Sequence, residues 1–184
     1  MNIFILDEDP KAAASYHCDK HVCKMILEAG QMLCTAHWMS WLKNLDKQRS
    51  DFKLMRDAKA FLKENVPKEK QPPWSITHVN HPCSVWTRET LENYTWHHKL
   101  MGHLLAEYTG RYRRTHKSIT VWEWLLYNKP LSFPNHGLTP FPICMKEEYK
   151  ISEDPVECYR EYYIKDKVRF AKWKNKKPDW WLVH

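Results

Sequence analysis

Pro10, Pro82 and Pro155 each stand at the head of a stretch with helical character. A proline has no amide hydrogen to donate, and its φ already lies near the helical value. The first turn is therefore the one place in a helix where it is well tolerated. Asp9 precedes the first of them and is a suitable cap. Only four glycines occur in 184 residues, while Leu, Ala, Lys, Glu and Met are frequent, a balance that favours helix over sheet. The chain reads as all-α, one compact domain over 1–184 with about five to six helices.

The expected elements follow from the punctuation. Asn2 to Leu6 is a short apolar run, read as a buried strand or extended arm. Helix is expected from Pro10 to about Leu42, with a break near Cys18, and again over Phe52–Asn65 up to Pro67. Lys43–Asp51 and Lys68–Trp74 are polar or proline-bearing and read as loops. Pro82 opens a helix that reaches about Tyr112, broken near Thr90. Ser118 caps Ile119–Tyr127, and Pro155 starts a last helix that runs to about Trp173. Prolines 130, 134, 140 and 142 rule out regular structure there, leaving a long loop over 129–150. A basic, aromatic tail occupies 165–184.

The formal net charge is +7, and between Lys165 and Lys177 seven Lys or Arg face a single Asp. Such a surface attracts polyanions and makes association salt-sensitive. The N-terminus lacks the basic region and apolar length of a signal peptide, and no stretch approaches membrane-span length. A cytoplasmic, reducing setting is expected, with the six cysteines as thiols or ligands rather than a disulfide frame. No CxxC pair occurs, and Cys18 and Cys23 leave the helical face of His17 and His21, so no metal and no cofactor are assigned.

Read as helix from Ser15 to Leu33, the chain places His17, His21, Lys24, Glu28 and Gln31 on one face. Val22, Ile26, Ala29 and Leu33 fall on the other and are expected in the core. A carboxylate among imidazoles and an amine is a candidate acid/base centre. His97 and His98 read as surface residues, and Trp38, Trp41, Trp122 and Trp124 as core.

Asp19-Lys20-His21, with Glu28 seven residues after the His, resembles the start of the pyrimidine-dimer DNA glycosylase family, the phage endonuclease V type. Three further blocks follow in that family's order: His81-Pro82 through Trp86, His103 through Tyr112, and Lys174 through Trp181. They touch about half the chain, and extra segments near residues 7–16, 40–75 and 115–150 account for its greater length. The resemblance implies an all-α fold, a phage or bacterial source, and an enzyme that flips a base out of duplex DNA and breaks its N-glycosyl bond. It implies that Glu28 manages protons, that His21 belongs to the active site, and that the nucleophile is the chain's α-amine, carried here by Met1. β-Elimination from the resulting imine gives an associated lyase activity. Asn2 stands where the family has a basic residue.

The implied chemistry has a physical basis. An α-amine has an ordinary pKa of about 7.7–8.0, against about 10.4 for lysine, so far more of it is free base at neutral pH. Extrusion of a base costs a few kcal/mol, offset by stacking on aromatics and by phosphate contacts. For nucleic-acid or phosphate contact the candidates are Asn2, His17, Lys24, Arg88, Arg111, Lys174, Lys177, Trp180 and Trp181, with Arg113 and Arg114 as further cations. The partner expected is DNA or a nucleotide. Two other functions remain open at this stage: an enzyme on free or modified nucleotides, and a non-enzymatic nucleotide or nucleic-acid binder.

Overall fold

The computed structural model describes residues 1–181; of the 165–184 tail, 182–184 lie outside the described residues. Among the described residues there are seven α-helices and no strand. They are α1 (Pro10–Tyr16), α2 (Asp19–Asn44), α3 (Met55–Asn65), α4 (Pro82–Thr87), α5 (Leu91–Tyr112), α6 (Ile119–Tyr127) and α7 (Pro155–Tyr162). No helix is long and apolar enough to cross a membrane. The three prolines begin α1, α4 and α7 as expected, each behind a side-chain cap. Asp9 and Asp154 accept from Ala12 and Val156 amides, and His81 Nδ1 accepts from the Cys83 amide at 3.2 Å. The last helix is shorter than expected: at Tyr163 it widens into a π-turn to Lys167, and Tyr163 is fully buried there.

α2 is the axis of the molecule. It packs along α5 and α4, and its buried residues run from His21 to Leu42 on almost every side. Val22, Ile26, Ala29 and Leu33 join the main core as expected, together with Leu100, Met101 and Leu104 of α5. Trp38 and Leu42 belong to a second, smaller core with Leu62 of α3 and with Val66, Ile76 and Val79.

Residues 2–6 are buried and extended without a strand partner. Asn2 Oδ1 accepts from the Ile3 and Phe4 amides at 2.8 and 3.3 Å, which removes the need for a sheet. Phe4 adopts φ +55, a left-handed conformation that costs about 1–3 kcal/mol for a residue of this kind. Its ring lies within 6.4 Å of His17, His21, Tyr159, Tyr162 and Tyr163, and this aromatic packing offsets the strain.

The break between α1 and α2 falls at His17 and Cys18, both extended. It is held from outside by Arg111 near the end of α5, which donates to the Ser15 and His17 carbonyls, to Asp19 and, from Nε and Nη2 together, to Oε2 of Glu107. These carbonyls belong to the open end of α1 and would otherwise lack partners. The Arg111 side chain is 0% exposed, so the expected phosphate contact is corrected: this guanidinium is spent inside the fold. His17 is corrected for the same reason. It is fully buried, off the α2 face, with Nδ1 on the Ala13 carbonyl at 2.7 Å. Arg111→Met should leave Asp19 and Glu107 without their buried partner and cost about 3–5 kcal/mol in chemical denaturation. A variant as stable as the parent would show that this guanidinium is not needed inside the fold.

His97 and His98 are buried, not on the surface, because α5 turns this face towards α4 and α6. His97 Nδ1 meets Thr87 Oγ1 at 2.8 Å. Burial pushes its pKa down to about 3, and those of His37 and His17 to about 3 and about 4. An unfolded histidine titrates near about 6.5, so below that value the unfolded chain binds more protons than the folded one. This contribution to stability is present above about pH 6.5 and is lost as pH falls towards the folded values. His97→Gln cannot titrate. Its stability, followed by denaturation between pH 7.5 and 4.5, should fall less steeply than that of the parent, by up to about 1.4 kcal/mol per pH unit. Parallel slopes would show that His97 is not held neutral.

Candidate active site at the N-terminus

The buried 2–6 segment delivers the start of the chain to the middle of α2. The Met1 α-amine lies 3.9 Å from Glu28 Oε2. The Asn2 amide donates to the same oxygen at 2.8 Å, and Lys24 Nζ stands 3.2 Å from Oε1, one turn away on α2. Glu28 is thus oriented by a backbone donor on one oxygen and a cation on the other. The Met1 side chain is 3% exposed and packs on the main core. Lys24 remains largely in solvent.

His81 at the start of α4 borders this group. Its pKa is lowered, first by burial and next by the α-amine's positive charge, against the raising influence of Glu28 and of a hydrogen bond to the Met1 backbone. An amine, a carboxylate and an imidazole from three separated segments therefore lie close to one another.

Beside it runs a groove of about 630 Å³ lined by Leu27, Trp74, Tyr108, Arg114, His116 and Lys117 among others. Leu27, which lines it, is the residue before Glu28 on α2, about 100° round the helix from it. The groove contains cations and aromatic faces and no carboxylate. Trp74 lies close against α2 because position 30 is glycine; a Cβ there would stand 2.5 Å from the ring. In the basic tail, Lys174 Nζ lies 4.6 Å above the Tyr112 ring.

The structure brings Met1, Lys24 and Glu28 together but leaves several other candidates elsewhere. His21 is two turns from Glu28, about 10.5 Å along the axis. It is buried against Phe4 and Phe170, with Nδ1 on the Tyr163 hydroxyl, and desolvation pushes its pKa down to about 2. The expected catalytic place for it is therefore corrected: it braces the N-terminal segment. Asn2 is also corrected. Its side-chain oxygen also accepts from Tyr159 at 2.7 Å and its nitrogen donates to the Cys144 carbonyl at 2.7 Å, leaving nothing for a phosphate. Arg88 donates to the Ser84 carbonyl and lines a cleft with Ser40 and Lys43, about 18 Å along α2 from Glu28.

Trp181 is buried against Trp173, with ring centroids 4.7 Å apart, which corrects its expected surface role. Trp180 is half-buried between Tyr16, Tyr163 and Arg160. Lys174 and Lys177 are exposed. Sequence reasoning missed the Cys83–Cys144–Tyr159 group behind Asn2, since 61 residues separate the two thiols and no spacing rule joins them. Comparisons with models of known families, with curated proteins and with solved structures find no match to this chain.

Proposed function

We propose that this protein is an N-glycosylase acting on a damaged or modified base in DNA, with the Met1 α-amine as nucleophile. The observation that carries this reading is the amine placed 3.9 Å from a carboxylate that a backbone amide and Lys24 hold in position. In this scheme the free amine attacks C1′ of the extruded nucleotide, and the C1′–N bond breaks. The base leaves with the bonding electron pair and takes up a proton. Glu28 accepts the proton the attacking nitrogen sheds and stabilises the cationic sugar electrostatically. Loss of a second proton from nitrogen and ring opening give the imine, from which removal of a C2′ proton expels the 3′ phosphate. The adjacent groove offers stacking surfaces in Trp74 and Tyr108 and phosphate partners in Arg114 and Lys117. The net charge of +7 supports a polyanionic partner.

The test is borohydride trapping on duplexes carrying ultraviolet photoproducts, oxidised or alkylated bases, or an abasic site. The expected result is a covalent adduct that peptide mass spectrometry maps to Met1. Glu28→Gln should slow base release by about 100-fold or more while the fold and duplex affinity persist. Base release that survives Glu28→Gln unchanged, or an adduct on a lysine, defeats the reading. Turnover of free nucleotides with none on duplex DNA would instead assign the site to a small-molecule substrate.

A further inference from the structure

Directly behind the N-terminal residues, His81, Cys83 and Cys144 each present one ligand atom, and these atoms all lie within 4.8 Å of one another. The two sulfurs are 3.4 Å apart. A disulfide needs about 2.05 Å, so the pair is not one. Two thiolates on one tetrahedral zinc, each about 2.3 Å from the metal, stand about 3.8 Å apart, which the pair reaches by moving a few tenths of an ångström. We propose that His81, Cys83 and Cys144 bind one zinc-class divalent cation.

Three observations support the donor set. His81 Nδ1 accepts from the Cys83 amide at 3.2 Å, so in the neutral ring the proton sits on Nε2, and this long hydrogen bond is one that a metal on Nδ1 would displace. The ring also stands close to Met1, whose α-amine charge acts on it. Cys144, on the long loop, is already oriented: its amide donates to the Tyr159 hydroxyl at 3.2 Å, and its carbonyl accepts from Asn2. Two sulfurs and an imidazole suit zinc and exclude magnesium and calcium, which take oxygen ligands. His81 and Cys144 are half-exposed, so the fourth position is open to water. The ion would fasten α4 to the 129–150 loop and, through Asn2 and the Met1 backbone, fix where the α-amine stands. This site does not depend on the glycosylase reading.

The full chain, purified reduced and freed of metal, is titrated with cobalt(II) and then with competing zinc. One equivalent of cobalt should give thiolate-to-metal charge-transfer bands and the intense visible bands of a tetrahedral site, both abolished by zinc. Cys144→Ser should weaken binding by more than the about 10–100-fold that loss of an outer partner costs, while Cys23→Ser, at a thiol outside the group, should bind like the parent. Circular dichroism checks the fold of each variant; if Cys144→Ser does not fold, His81→Asn takes its place. Absence of these bands in the parent, or full binding by folded Cys144→Ser, overturns the proposal.

Discussion

The side-chain oxygen of Asn2 accepts from the Ile3 and Phe4 amides and from the Tyr159 hydroxyl, and the N-terminal segment stays buried on the strength of that arrangement. Burying backbone without a partner costs as much as a lost hydrogen bond, and a single extended segment has no neighbouring strand to supply one. Asn2 supplies acceptors from its side chain, ties the long loop through Cys144, and leaves its own amide free for Glu28. The amine reaches Glu28 because the segment is inside, and the Asn2 side chain, with Arg160 on the Leu6 carbonyl, supplies part of the partners that burial demands.

α2 carries the rest. A helix buried on most sides leaves a narrow strip in solvent, at Lys20, Lys24 and Leu27, so its buried polar residues must find partners within the protein. His21 finds Tyr163 and an aromatic cage; Glu28 finds the Asn2 amide and the α-amine's neighbourhood. Lys24 keeps its charge in water, where it also holds Glu28. The same stripe thus divides into an end packed among aromatics and an end beside the α-amine, two turns apart.

Much of the helix pattern was legible because it is local. Prolines at first turns, capping Asp and Ser, and the proline-dense loop depend on residues within a few positions of one another. Ile119–Tyr127 is a helix as expected. The break at Cys18 was visible, but its effect on His17 was not, since reading helix from Ser15 placed that imidazole on the α2 face. What the spacing hid is non-local: Arg111 reaching across to α1, Tyr163 turned inward by a π-turn, and Cys144 meeting Cys83. Charge was misread in the same way. Arg111 and His17 look like surface cations in a basic chain, and only the carbonyls and carboxylates around Arg111 show that its charge is neutralised inside.

The location of residues 2–6 also orders events in time. Their partners, Tyr159 and Tyr163, lie more than 150 residues further along the chain, and the loop that Asn2 ties down precedes these by only a few turns. A ribosome making about 5–20 residues per second releases Ile3, Phe4, Ile5 and Leu6 long before α7 exists to cover them. Until then the most apolar stretch at the start of the chain has no native place. Closing so distant a contact is entropically slow. Residues 2–6 are thus enclosed only after α7 has been made.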